Sequence, residues 1–277
     1  MKGDKHTSLI NLTINSILLI FFLNCLLWCG CEKLITGYGP QPSYIDRPEY
    51  EQKLNILGIL RPDSLQDRPQ SFVHVEKAIS IYDADDSLSI HDVGVCIIEL
   101  DDKVPIDSVH LVYSDFNGFY SEKEYRNDNF FPRANTTYEV RCTKEGFPEL
   151  GGRTTVPLKP EIREESIHFF NNNLFFTIRS DTLASLYYIF LEVEESVFFK
   201  QYLKKKDEKV NIEFELQGKK NVHTARVTII AYDNKFSEYV SYNVNIKPNT
   251  YREDYSTVKN GFGCFGSLNI TEQDIYF

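Results

Sequence analysis

Cys29-Gly30-Cys31 sets a thiol directly behind the smallest residue. A narrow peptidase cleft could cut after Gly30, leaving the Cys31 sulfur free to carry a thioether-linked lipid. A chain cut there would retain Cys31, Cys96, Cys142 and Cys264. With Cys31 acylated, at most one internal disulfide and one free thiol remain. An exported protein can hold a disulfide. However, Cys96 and Cys142 fall on predicted strands, where cysteine commonly serves as a small buried apolar residue, so buried thiols are the expectation and pairing stays open. His74, His91, His110, His168 and His223 are scattered singly, and the body has no Cys-x-x-Cys or paired-His spacing, so neither zinc nor another metal site is expected. There is no Gly-x-Ser-x-Gly elbow, no His-Glu-x-x-His and no phosphate-cradling glycine loop. Asp83-Ala84-Asp85-Asp86, with Ser87 and Ser89, offers oxygens to Ca²⁺ but lacks the glycine and distal glutamate of a calcium loop. It reads as a solvated hairpin turn. With 40 acidic residues any carboxylate pairing arises cheaply, so no glycosidase pair can be singled out. The expectation is a non-enzymatic body with no catalytic residue and no cofactor.

The segment ahead of Cys31 has the three parts of an export signal, placed at residues 1–30. Lys2 and Lys5 are positive, residues 17–23 are uninterruptedly apolar, and Leu26-Leu27-Trp28 adds a second apolar pulse. With Gly30 and Cys31 behind it, this segment resembles the lipobox of bacterial lipoproteins. It departs from that motif in having Trp28 where leucine is preferred and Cys29 where a small residue is. The resemblance implies that Cys31 becomes the acylated first residue. Each acyl methylene contributes about 0.8 kcal/mol on insertion, so two or three chains anchor a protein essentially permanently. The competing reading is an uncleaved helix over residues 9–28, long enough to cross roughly 30 Å of hydrocarbon. Asn11, Asn15, Ser16 and Asn24 dilute that helix, and it leaves Gly30-Cys31 unexplained. Residues 31–50 carry Gly37, Gly39, Pro40, Pro42 and Pro48 without a hydrophobic period and read as a tether. Fully extended, residues 34–50 would span about 55–60 Å.

These features need a folded body to serve. The chain carries a net charge of −10 although its first 30 residues are themselves positive, which argues against a nucleic-acid partner. Lys204-Lys205-Lys206 is answered at once by Asp207 and Glu208 and reads as a solvated face. The 17 Tyr and 20 Phe favour sheet. Short β-patterned runs between turn signals fill residues 51–160, among them 71–82, 93–100, 108–113 and 137–143, and end at Pro157 and Pro160. Residues 161–248 repeat the pattern. Val210, Ile212, Phe214 and Leu216 alternate with polar residues as a half-buried strand, and Tyr242, Val244 and Ile246 suggest a last one. Val197, Phe198, Tyr202 and Leu203 have roughly helical spacing, so a short helix is expected over 195–206. Residues 249–277 are unlike either unit, and their Phe262, Phe265 and Leu268 predict a tail packing on the body. The expected fold is all-β, with two consecutive β-sandwich domains after the signal and tether. The run Val227-Thr228-Ile229-Ile230-Ala231-Tyr232-Asp233-Asn234-Lys235-Phe236-Ser237 resembles a late strand and Asp-containing turn of an immunoglobulin-like fibronectin type III module over about residues 162–247. His223 and Ala225 stand where the tyrosine corner of such modules would fall.

Several short segments together carry a wider resemblance. They are Cys31-Glu32-Lys33, Phe72-Val73-His74-Val75-Glu76-Lys77-Ala78, Thr137-Tyr138-Glu139-Val140, Thr154-Thr155-Val156-Pro157, Tyr255-Ser256-Thr257-Val258, and residues 261–266. On these the chain is similar to a family of uncharacterised Gram-negative outer-membrane lipoproteins with an N-terminal β-sandwich and a fibronectin-like second half. The resemblance implies an outer-membrane location near nutrient-uptake receptors and no catalytic residues. The implied partners are the membrane, through the anchor, and an outer-membrane receptor or other envelope protein. The expected role is a binding or assembly module associated with an uptake complex. A competing expectation is a glycan-binding or glycan-processing surface lipoprotein, motivated by the aromatic surplus. The ligand and the membrane face stay open.

Overall fold

Alternation of apolar and polar side chains forms strands nearly everywhere it occurs, because every second residue then reaches a core. The computed structural model describes residues 52–65, 68–78, 88, 90–114, 124–204, 209–216, 223–243 and 256–276. The export signal, Cys31, the tether, the Asp83–Asp86 turn, Val244 and Ile246 lie outside them. The chain divides into two units, Met1–Tyr50 and Glu51–Phe277, and all that follows concerns the second.

The first half contributes β1 (Leu54–Leu60), β2 (Ser64–Leu65), β3 (Arg68–Pro69), β4 (Phe72–Lys77), β5 (Gly94–Asp101), β6 (Val104–Ser114), β7 (Glu124–Arg126), β8 (Thr137–Thr143) and β9 (Leu150–Thr155). Then come β10 (His168–Phe170), β11 (Asn173–Ile178), β12 (Ala184–Val193), β13 (Ser196–Leu203), β14 (Val210–Glu215) and β15 (Thr224–Asp233). The helix α1 (Asn234–Asn243) leads to β16 (Val258–Lys259) and β17 (Gly261–Tyr276). The protein is all-β. Among the described residues α1 is the one α-helix, and no helix is long and apolar enough to cross a membrane.

A 12-stranded sheet runs in the order β13-β12-β15-β17-β1-β4-β7-β6-β5-β8-β9-β16. A three-stranded sheet, β10-β11-β14, lies apart from it in hydrogen bonding but not in packing. Leu174, Phe176 and Ile212 of the small sheet share a core with Ile189, Leu191 and Val227 of the large one. These two layers make a sandwich-like second half. In the first half the large sheet curls so that its own strands face one another. Leu54 and Val73 meet Ile97, Val140 and Leu150 in a second core, closed by Phe265 of β17. A third cluster joins the halves through Ile59, Phe72, Leu186, Tyr232 and Leu268.

Strand β17 is central to this arrangement. Its first seven residues pair in parallel with β1, from Leu54↔Gly261 to Leu60↔Ser267. Its remainder pairs antiparallel with β15, from Tyr232↔Leu268 to Thr224↔Tyr276. The segment expected to pack on the body as a tail is therefore a strand within the sheet, and it carries ladder bonds to both halves.

Two local expectations are corrected. Residues 196–203 form β13 rather than a helix. Glu194, at φ 53°, closes a tight turn that sets Val193 opposite Ser196, and pairing with β12 follows to Leu186↔Leu203. The apolar residues there fit either period, and the neighbouring strand decides. Tyr242, expected on a strand, lies in α1. The reason is that Asp233 caps a helix instead of starting a turn.

Tyr125 shows how a polar atom is kept inside the second core, that of the first half. The Val93 N–H donates to its hydroxyl oxygen at 3.1 Å, and the hydroxyl donates to the Ile90 carbonyl at 3.4 Å. Burial pushes its ionisation upward. Tyr125→Phe leaves the Val93 N–H unpaired and is expected to cost about 1–2 kcal/mol, read as a lowered urea midpoint at unchanged slope.

Candidate functional site

The most site-like constellation among the described residues lies where β15 ends, α1 begins and β9 passes β17. Asp233 is 2% exposed. Its Oδ1 accepts from the Phe236 N–H at 2.9 Å and the Ser267 N–H at 3.1 Å, and its Oδ2 from the Thr154 hydroxyl at 2.5 Å. Ser267 Oγ stands 2.8 Å from Thr154 Oγ1 and donates to the Thr155 carbonyl at 3.1 Å. Burial pushes the Asp233 carboxyl above its ordinary value, and the donors pull against that shift.

Alternate residues of β17 extend this network along the chain between the halves. Asn269 Nδ2 donates to the Pro157 carbonyl at 3.0 Å, and the Thr271 hydroxyl to the Pro160 carbonyl at 2.6 Å. Asn269 and Thr271 thus occupy carbonyls of the Pro-rich connection, whose prolines have no N–H to give a ladder, while Ser267 holds the last carbonyl of β9. A cavity of about 250 Å³ opens beside Asp233, lined also by Arg153, Thr155, Leu183 and Lys235. With both oxygens engaged, Asp233 works as a helix cap and a cross-brace rather than as a proton acceptor for a ligand.

Two further hollows flank the β5–β6 turn, whose Asp102 and Lys103 both have positive φ as a tight hairpin requires. They measure about 530 and 360 Å³. Arg133, which pairs with Glu99, borders the smaller one. Nearby, Glu139 accepts from Arg141 Nε at 2.7 Å and Arg153 Nε at 2.6 Å. Burial alone would raise its carboxyl, but the two guanidiniums outweigh that and hold it below the usual range. These pairs are braces on the outer face of β8 and β9.

Cys96, Cys142 and Cys264 are free thiols. Burial pushes Cys142 and Cys264 up to about 12, so neither is a nucleophile near neutrality. Cys96 is half-buried and also raised by burial, despite Arg141 alongside. Of the histidines, His74 pairs with Glu76, His91 packs edge-on to Tyr113, and His168 stacks on Phe175. Among the described residues no three His, Cys, Asp or Glu side chains gather as cation ligands. The most exposed aromatic rings, Phe131, Phe170, Phe199 and Tyr276, belong to different elements.

Sequence reasoning missed the roles of Thr154, Ser267, Asn269 and Thr271, which are ordinary strand residues by type. Asp233 carried one local signal, an Asp directly ahead of a helix, but the period-2 run before it pointed to a turn. The chain matches no protein-family model, and no curated protein is significantly similar to it. What defines its class is the fold: an all-β body in which one C-terminal strand laces two halves together.

Proposed function

We propose that this chain is a lipoprotein of the cell envelope, held at the outer membrane by lipid on Cys31. Its all-β body acts as a binding or assembly module, without chemistry of its own, beside a nutrient-uptake receptor. The observation that carries this reading is Gly30-Cys31 at the end of a positively flanked apolar leader. Two consecutive sandwiches are the proposed body, the second of fibronectin type III kind. The order β10-β11-β14 against β13-β12-β15-β17 supports the second assignment. A body whose polar groups brace the fold, rather than converging on a ligand, suits a scaffold that meets a partner by its surface.

The test is an intact-mass spectrum of the membrane fraction. The expected species begins at Cys31 and carries acyl chains, whereas a chain retaining Met1 would overturn the anchor. Cys31→Ala is expected to abolish acylation and accumulate the unprocessed precursor. Purification of the native protein in mild detergent is expected to retain an envelope receptor. Heat from a soluble sugar in calorimetry, with no receptor retained, would instead favour the glycan reading.

A further inference from the structure

The large sheet ends at β13, which pairs with β12 alone. Val193↔Ser196 closes the hairpin, and pairs exchanging main-chain bonds then recur at every second residue: Leu191↔Phe198, Ile189↔Lys200 and Tyr187↔Tyr202. The Lys204 N–H, donating to the Ser185 carbonyl at 2.8 Å, continues the series. The main-chain groups of Val197, Phe199, Gln201 and Leu203 therefore point away from β12, and no described residue bonds them. The side chains of Val197, Phe199 and Leu203 are also 64, 54 and 55% exposed. A long apolar edge of this kind is a template for another strand, which sheets normally blunt with a lysine. Here the lysine is turned elsewhere. Lys200 Nζ donates to the Glu213 carbonyl at 2.5 Å and the Tyr202 hydroxyl to the Lys209 carbonyl at 3.1 Å, so these side chains protect the edge of β14 and not that of β13.

The charges at the ends of β13 select the occupant. The strand follows Glu194-Glu195 and runs into Lys204. A second copy laid antiparallel sets each acidic end beside the other's basic end. Centring the pair on Lys200 would oppose two like charges, which destabilises a sheet. Centring it on Phe199 opposes the two Phe199 rings, sets Val197 against Gln201 of the second copy, and brings Lys204, whose Nζ also donates to the Asp181 carbonyl, to the acidic Glu194-Glu195 turn of the second copy. We propose that β13 is a dimer edge, at which two copies pair antiparallel about Phe199 and join their sheets into one.

Light scattering of the full chain in mild detergent is expected to give twice the protein mass of one copy. Phe199→Lys and Gln201→Pro are each expected to halve that mass with the far-ultraviolet spectrum unchanged. The proline removes only an outward N–H, and the lysine tests the edge without touching the backbone. Paired Phe199 residues would have Cα atoms about 5.5 Å apart, inside the roughly 4.4–6.8 Å a disulfide spans. Phe199→Cys is therefore expected to give a dimer band under mild oxidation that neither the wild type nor Val197→Cys gives. A wild type of single-copy mass, equal cross-linking of the two cysteine variants, or cross-linking of Phe199→Cys chiefly to a different protein would each overturn the proposal.

Discussion

Gly263→Ala is expected to cost about 4 kcal/mol or more and to leave little folded protein, the range reserved for changes the native structure cannot absorb. Gly263 sits in β17 at φ 96°, opposite Ile56 of β1. A methyl group there meets two penalties. The backbone conformation itself costs a residue with a Cβ about 1–3 kcal/mol. The added carbon would also overlap the Ile56 carbonyl oxygen and lie 2.8 Å from Asn55 Oδ1. The carbonyl belongs to the strand that β17 must pair with, so relief means parting β1 from β17. That would open the second core, that of the first half, at Phe265, which is fully buried beside it. Gly146→Ala is the control. Gly146 has φ 82°, but nothing lies within 4 Å of the new carbon, so only the conformational penalty of about 1–2 kcal/mol applies. Chemical denaturation of both variants checks the argument. Similar losses at the two sites would show that backbone conformation alone, and not the β1–β17 passage, sets the cost.

Asp233→Ala is expected to destabilise the protein by about 2–5 kcal/mol. Losing a helix cap accounts for about 0.5–2 kcal/mol. The buried Ser267 N–H, left unpaired, adds about 1–3 kcal/mol, whereas the Thr154 hydroxyl can turn to Ser267 Oγ, 2.8 Å away. Asp233→Asn separates charge from shape. Burial raises the carboxyl of Asp233, whereas in the unfolded chain it titrates at about 3.9. From that value up to its higher folded value, the native state binds the proton more tightly than the unfolded state does. Ionisation in that window therefore takes stability away as pH rises. Glu139 acts in the opposite sense. Its carboxyl is held low against burial by Arg141 and Arg153, so its contribution is present above its unfolded value and is lost on acidification. Melting curves of wild type and Asp233→Asn from about pH 3 to 7 isolate the first effect. The wild type is expected to lose ground to the variant as pH rises above about 4. A difference that is flat, or that grows the other way, would mean the carboxyl is not raised.

The residues of the seam explain why so little of the candidate site was legible in the chain. Thr154, Ser267, Asn269 and Thr271 stand on strands, and nothing in their types or spacing distinguishes a brace from a solvent-facing polar residue. Their partners lie 79 to 113 residues away. Asp233 was visible as a break in a strand pattern, but helix and turn begin alike. At β13, Val197, Phe198, Tyr202 and Leu203 satisfied a helical period, yet pairing with β12 made them a strand.

What the amino-acid sequence determines by itself is the all-β character and the positions of strands such as β5, β8 and β14. Burial of alternate side chains is a local pattern, independent of what the strand packs against. Sequence also carries what the proposed anchor rests on, the apolar run ahead of Gly30-Cys31 and the Gly- and Pro-containing residues 31–50, a linear pattern that needs no fold to be seen. Tertiary structure alone decided that the last strand would run between β15 and β1. A strand's residues specify that it pairs, but the choice of neighbour depends on the whole arrangement of cores. It is that choice that turns Gly263 into a close passage, Ser267 into a brace and β13 into the edge of the sheet.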